Sequence, residues 1–301
     1  MTPLVRDSAP LRPPPGGPLP AAGSASRTLR PLLEGPRRPA RVLALFPSAL
    51  YLELRGASEP RTVAVVTSDA VRLPNAIVLG VPARDRPLRG VRESADAWIG
   101  EGRVEAGGLL VRARRWWDPR PALGVVASPG GLRAFADELS AAPPGGLAGH
   151  PDPALLGACC ADGDLAGAVE TAERLVGLGP GLTPSGDDIL AGLLAALRLI
   201  GGALPGGDRA VWLAGWLGAA VTADVGTRTT PLSATLLHCA ARGDAGAEVG
   251  AALRAVAGLE PPGPAVRRLL SVGHTSGSDL ACGVLLGAHA ALALAGNLTA
   301  V

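Results

Sequence analysis

The chain has 301 residues, of which 48% are hydrophobic and 3% aromatic, with 42 Gly, 29 Pro and a formal net charge of +2. All 28 basic residues are Arg, which excludes chemistry that needs a lysine: no Walker lysine, no Schiff base and no pyridoxal-phosphate anchor. Seven Arg against two acidic residues fall within residues 1–41, so the remainder is net acidic and argues against nucleic acid as a partner.

Residues 1–39 are rich in Pro, Gly, Ala and Arg without apolar periodicity, and read as a disordered tail. From Arg41 onward short β-branched or alternating runs appear at 42–46, 51–54, 62–66, 76–79, 97–99, 103–105 and 109–112, separated by Gly, Pro, Asn or Asp. They predict a small β-barrel or sandwich-like domain over residues 40–128. Near Pro129 the pattern changes to helices, expected at 132–139, 153–161, 164–176, 186–200, 208–222, 231–242, 246–257, 264–271 and 277–295. Thr230-Pro231 reads as an N-cap followed by a first-turn proline, and Gly243 as a C-terminal cap. The fold class is therefore α+β, the β-rich domain preceding a larger helical domain over 129–301. Segment 186–200 has no polar face apart from its ends and belongs at the centre of the helices.

Cys159, Cys160, Cys239 and Cys282 show no C-x-x-C spacing, which suits reduced thiols and a cytoplasmic protein. The four histidines lack metal-ligand spacing. The apolar run 280–296 falls short of the roughly 20 residues of a membrane span and reads as a buried helix, so no membrane partner is expected.

The most informative stretch is Gly177-Leu-Gly-Pro-Gly-Leu-Thr-Pro-Ser-Gly-Asp-Asp188, which opens the apolar segment from Ile189. The first N–H groups of a helix lack internal partners and carry about half a positive charge, so the loop suits an anion such as phosphate. Gly179, Gly181, Thr183, Ser185 and Gly186 are its candidate binding residues. Thr183 or Ser185 would also serve as a plain N-cap, and acidic residues in a first turn also simply complement the dipole. Asp187 and Asp188 are candidate Mg²⁺ ligands beside a phosphate. Successive helical residues diverge by about 100°, so one of the two faces the site, and Asp188 is favoured.

A second copy supports that choice. Ser276-Gly-Ser-Asp279 and Ser185-Gly-Asp-Asp188 both continue as S-G-x-D-x-x-x-G-x-L at an offset of 91 residues, which places Gly192 opposite Gly283. A pair of helix N-termini converging on one small anionic substrate would follow, with Thr275 and Ser276 as further binding candidates. Asp279 and His274 join Asp188 as acid–base candidates, although a histidine beside a helix cap is more often an ordinary loop residue. Between the copies, Arg228 with Thr229 and Ser233 offers a carboxylate or phosphate clamp, against the plain alternative of a surface Arg. Arg112-Ala-Arg-Arg-Trp-Trp-Asp118 reads either as a ligand groove or, more simply, as an aromatic cap on the β-domain.

Together, residues 177–188, the Thr229-Thr-x-x-Ser233 helix start and Gly273-His-Thr-Ser-Gly-Ser-Asp279 resemble the family of the AllH subunit of oxamate carbamoyltransferase. The likeness extends over about residues 40–296, loosely in the β-domain through Trp117-Asp-Pro119, and leaves the tail outside. It implies carbamoyl transfer between oxalurate and phosphate, giving oxamate and carbamoyl phosphate, in allantoin breakdown, with other carbamoyltransferase subunits as partners. The alternatives are a Mg²⁺-dependent hydrolase or transferase of another small phosphorylated or carboxylate substrate, and a non-catalytic partner subunit.

Overall fold

The computed structural model describes residues 19–56, 59–126 and 130–296. Eight strands form a closed mixed barrel: β1 (Leu19–Ser26), β2 (Arg38–Leu45), β3 (Ala49–Leu54), β4 (Thr62–Val66), β5 (Ala76–Leu79), β6 (Asp96–Gly100), β7 (Arg103–Ala106) and β8 (Leu109–Trp117). Around the barrel the order is β1-β5-β4-β3-β2-β6-β7-β8, with β8 returning to β1. The pairs β1–β8 and β4–β5 are parallel and the others antiparallel.

Strand β1 corrects the expected tail. Leu19–Ser26 pairs with β5 on one side and β8 on the other, and a 3-10 turn (Arg27–Leu29) and a short helix α1 (Arg30–Leu33) follow it. The segment lacks an apolar alternation because it needs small residues: a Cβ at Gly23 would stand 2.5 Å from Ile77 Cγ2. Residues 1–18 lie outside the described residues.

Leu50, Leu52, Val63, Val65, Ile77, Ile99, Val104 and Val111 fill the barrel. Strand β4 is buried at every position, because its outer face also has cover. There Thr235 receives the backbone N–H of Thr62 at 3.1 Å, joining the barrel to the helices. A continuous Val-rich run, rather than an alternating one, is what two buried faces require.

Nine helices follow among the described residues: α2 (Leu132–Ser140), α3 (Pro151–Asp162), α4 (Leu165–Leu175), α5 (Ser185–Ala203), α6 (Asp208–Thr222), α7 (Pro231–Arg242), α8 (Ala247–Val256), α9 (Pro262–Leu270) and α10 (Ser276–Leu294). Thr230 caps α7 through its hydroxyl, accepting from Ser233 N at 3.1 Å, and Gly243 closes the helix with φ 84°. Helix α5 is central: only Ala191, Arg198, Leu199 and Gly202 escape full burial. Its main partner is α10, which is long and apolar enough to cross a membrane by length and composition but is largely packed within the helical domain.

The α5–α10 contact is symmetric. A Cβ on Gly192 would collide with Leu280 O and stand 2.9 Å from Val284 N; a Cβ on Gly283 would collide with Ile189 O and stand 2.9 Å from Leu193 N. Each group maps onto its counterpart by the same 91-residue offset, so the repeat seen in the sequence is a pseudo-twofold axis between two helices. Glycine at both positions lets the backbones approach as no larger residue would.

Candidate functional site at the paired helix starts

Both central helices begin in the same way. Helix α4 ends in the buried Leu175 and α9 has the buried Leu269 as its last residue but one, and from each a glycine-containing turn reverses the chain into α5 or α10. Gly186 N–H donates to Leu178 O and Gly277 N–H to Val272 O, both at 2.9 Å. Gly179 (φ 118°) lies against Ser185 and Gly273 (φ 60°) against Ser276, and the left-handed backbone selects glycine at both. The second turn is three residues shorter, which is why the offset is 91 at the helices.

The N-cap of α5 is Pro184, with Ser185 the first helical residue, so neither Thr183 nor Ser185 takes the capping role expected of one of them. The first turn is also less open than a bare helix start. Gly186 N–H is used as above, and Asp187 and Asp188 N–H both reach Pro184 O, at 2.9 and 3.1 Å. Hydroxyl and carboxyl side chains, rather than a row of free N–H groups, give this place its chemistry.

Asp187 and Asp188 point in different directions. Asp187 accepts Gly177 N–H at 2.8 Å on Oδ1, and on Oδ2 the hydroxyls of Ser233, at 2.6 Å, and Thr229. It is 1% exposed and ties the glycine turn to the start of α7. The hydroxyl protons of Thr229 and Ser233, expected to meet a substrate, are therefore engaged by Asp187. A Mg²⁺ bridged by Asp187 and Asp188 would have to displace these donors, and no cluster of three or more His, Cys, Asp or Glu able to hold a metal occurs among the described residues.

Asp188 faces the other half of the repeat. It is 5% exposed, and its Oδ2 is buried with no hydrogen-bond partner among the described residues. Burial pushes its carboxyl up to about 8, against the pull of the Ser276 and Thr183 hydroxyls; the neighbouring Asp279 and Asp187 carboxylates add to the rise. Thr183 Oγ1 and Ser276 Oγ lie 3.0 Å apart, joining the two loops beside this acid. Asp279, at the equivalent place on α10, is 1% exposed but accepts Gly146 N–H on both oxygens, at 2.9 and 3.2 Å. Two acids related by the pseudo-twofold thus sit in unlike surroundings, one hydrogen-bonded by a backbone N–H and one not.

That N–H belongs to a segment the sequence motifs did not mark. Pro143-Pro-Gly-Gly146, between α2 and α3, lies directly over the paired helix starts. A Cβ on Gly145 would collide with Asp279 Oδ1, and one on Gly146 with Ser185 Oγ. The Ser278 hydroxyl holds the same segment by donating to Pro143 O at 3.0 Å. The Pro-Pro-Gly-Gly run itself was the available signal, but 42 glycines in the chain obscure it.

The remaining candidates spread outward. His274 is exposed on the turn before α10 and has no hydrogen bond among the described residues. Thr275 is the N-cap of α10 but makes no side-chain cap bond. Gly181 is exposed, at φ 96°. Arg228 turns away from the paired helix starts: its guanidinium donates to Glu173 O at 2.6 Å and meets Asp224 at 3.5 Å. In the Arg112–Asp118 stretch, Arg112 to Trp117 continue strand β8, Arg72 lies over the Trp117 ring and Asp118 pairs with Arg27.

Residues 175–288 match the family model described as oxamate carbamoyltransferase subunit AllH. The matched segment starts at the last residue of α4 and ends within α10, so it contains both glycine turns and both acids. No curated protein and no solved structure matches the chain.

Proposed function

We propose, taking the AllH match of residues 175–288 as the premise, that this chain carries the reacting centre of a carbamoyltransferase at the paired starts of α5 and α10. In the reaction implied by the match, phosphate oxygen attacks the carbamoyl carbon of oxalurate. The bond from that carbon to the inner nitrogen breaks, the nitrogen takes a proton, and oxamate and carbamoyl phosphate result. Asp188 is the acid for that proton, and its burial beside Asp279 is the observation that carries the reading: two acids with divergent surroundings are the usual mark of an acid–base pair. Asp279, already hydrogen-bonded by Gly146 N–H, is its partner in that pair. The hydroxyls of Thr183, Ser185 and Ser276 are the uncharged polar groups near the pair and would orient the phosphoryl oxygens. His274 stands outside this set as an exposed residue that could reach a substrate at the loop edge.

The setting is acidic, and Arg228, the cation nearest in sequence to the motifs, is engaged elsewhere. The positive charge that phosphate requires would then come from the helix dipoles and from another subunit, which agrees with the family's description as a subunit. Cytoplasmic location and a role in allantoin breakdown go with this reading.

The test is carbamoyl phosphate formation from oxalurate and phosphate by the assembled enzyme. Asp188→Asn removes the proton donor while keeping the shape, and the turnover is expected to fall by about 10²-fold or more with little change in KM, since acid catalysis contributes roughly that much. A variant with wild-type turnover would remove the reaction from this centre. Activity that depends on added Mg²⁺ and vanishes in Asp188→Asn would favour the metal-dependent alternative.

A further inference from the structure

Asp279 and Ser185 are 1% and 4% exposed, so neither can meet a substrate as the chain stands. One short segment, residues 141–150, shuts them off; it links the end of α2 to the start of α3. Gly145 rests on the Asp279 carboxyl and Gly146 on the Ser185 hydroxyl, so closely that a Cβ on either glycine would collide. Gly146 N–H also takes up both Asp279 oxygens, at 2.9 and 3.2 Å.

The segment is lightly attached for a cover over polar groups. None of its side chains is buried, and only Ala142 and Leu147 are half-buried. Two contacts tie its middle to α10: the Gly146 N–H on Asp279, and the Ser278 hydroxyl on Pro143 O at 3.0 Å. A cavity of about 350 Å³ lies between it and helices α3 and α10, so on that side it bridges a gap instead of packing. Few buried apolar contacts place such a segment at the low end of local stability. Its other hydrogen bonds are local: Ala148 N–H donates to Gly145 O at 3.2 Å and His150 N–H to Leu147 O at 3.0 Å, while Pro143-Pro144 stiffens the other half. The segment therefore moves as a unit. Its freedom lies at Ala141, the C-cap of α2, and at Gly149, which has φ 79° and open space where a Cβ would stand.

We propose that residues 141–150 form a lid over the paired helix starts: lowered, Gly146 N–H occupies Asp279 and the glycines cover Ser185; raised, both are released to a substrate. The proposal rests on the reading of these helix starts as the reacting centre and adds an autoinhibitory contact to it. The donor that engages Asp279 belongs to the cover itself, so one movement opens the site and frees the acceptor.

Asp187 supplies the control. It is equally 1% exposed, but Gly177, Thr229 and Ser233 close it in, not the lid. The full chain is treated in mildly acidic buffer with a water-soluble carbodiimide and glycine ethyl ester, and amidation of each Asp is followed by mass spectrometry at low extent of reaction. Asp279 is expected to be labelled about tenfold faster than Asp187 or more, because the lid opens without global unfolding. Ser278→Ala removes one tie and should raise the Asp279 rate about three- to tenfold, the effect of one net hydrogen bond. Gly145→Ala sets a methyl group against Asp279, holds the lid up and should raise the rate further. Asp187 should be unchanged in both variants. Both are first checked for wild-type circular dichroism, and Ser278→Ala decides the matter if Gly145→Ala does not fold. Equal Asp279 and Asp187 rates in the wild type, or an Asp279 rate that neither folded variant raises, would overturn the lid. Labelling needs no turnover, so the two failures are separable. Full turnover in Asp188→Asn would remove the reaction and leave a lid that labels as described, whereas lost turnover beside a failed labelling test would remove only the lid.

Discussion

Thr183 and Ser276 share a hydrogen bond of 3.0 Å between hydroxyl oxygens, although 93 residues separate them. The bond crosses the pseudo-twofold axis and lies beside Asp188, whose acidity both hydroxyls increase. Ser276→Ala removes one of them. The Asp188 carboxyl should then hold its proton to still higher pH, and the alkaline limb of the turnover profile, expected near pH 8 in the wild type, should move upward. A pH–rate profile of the assembled enzyme checks this, and an unmoved or lowered limb would count against Asp188 as the acid.

Folding stability should carry the same signature. A carboxyl raised to about 8 in the folded chain, against about 3.9 when unfolded, holds its proton while the unfolded chain loses it. The stabilisation is complete below the unfolded value and is lost as pH rises from about 4 to about 8, then flat above. Asp188→Asn cannot titrate, so its stability relative to the wild type should improve across that window, on the order of a few kcal/mol in total. Urea unfolding at pH 4.5, 6.5 and 8.5 measures it, and a constant difference would contradict the raised carboxyl.

Asp187 is held for structural reasons, and its variants should show it. Asp187→Ala leaves three donors, the buried Ser233 and the half-buried Gly177 and Thr229, without an acceptor, at a cost of about 3–5 kcal/mol. Asp187→Asn keeps one acceptor oxygen, and the hydroxyls can turn to accept from its amide, so it should lose distinctly less. Denaturant unfolding of the two variants distinguishes this anchoring role from a purely catalytic one, in which both would fold like the wild type.

Gly283→Ala places a methyl group against Ile189 O, which sits on the central helix and has nowhere to retreat. Overpacking of this kind costs about 1–3 kcal/mol or more. Because the mirror contact at Gly192 meets Leu280 O, Gly192→Ala should lose a comparable amount, and thermal unfolding of the two variants should give similar Tm shifts.

The helical half was legible because glycine, proline and capping residues punctuate it. Thr230-Pro231 and Gly243 bound α7 where the residues implied, and the 91-residue repeat implied that the starts of α5 and α10 converge. Two features were hidden, both for the same reason. Strand β1 is built of small residues because Ile77 and Val111 crowd it, and the Pro143–Gly146 cover is built of glycine because Asp279 and Ser185 crowd it. Close approach selects against the large side chains from which periodicity is read. The partners of Asp187 were hidden differently: Thr229 and Ser233 look alike in a sequence whether they serve a ligand or a neighbouring carboxylate, and only the fold brings Asp187 to them.

The parallel closure of β1 on β8 has a practical consequence for handling the protein. A fragment begun at residue 40, where the composition first looks ordered, would remove β1 and break the ring at one point. Strands β5 and β8 would then present bare hydrogen-bonding edges, each a template for another chain. Such a truncation should give an aggregating product even with α2 to α10 intact, so the boundary for expressing this protein lies upstream of Leu19.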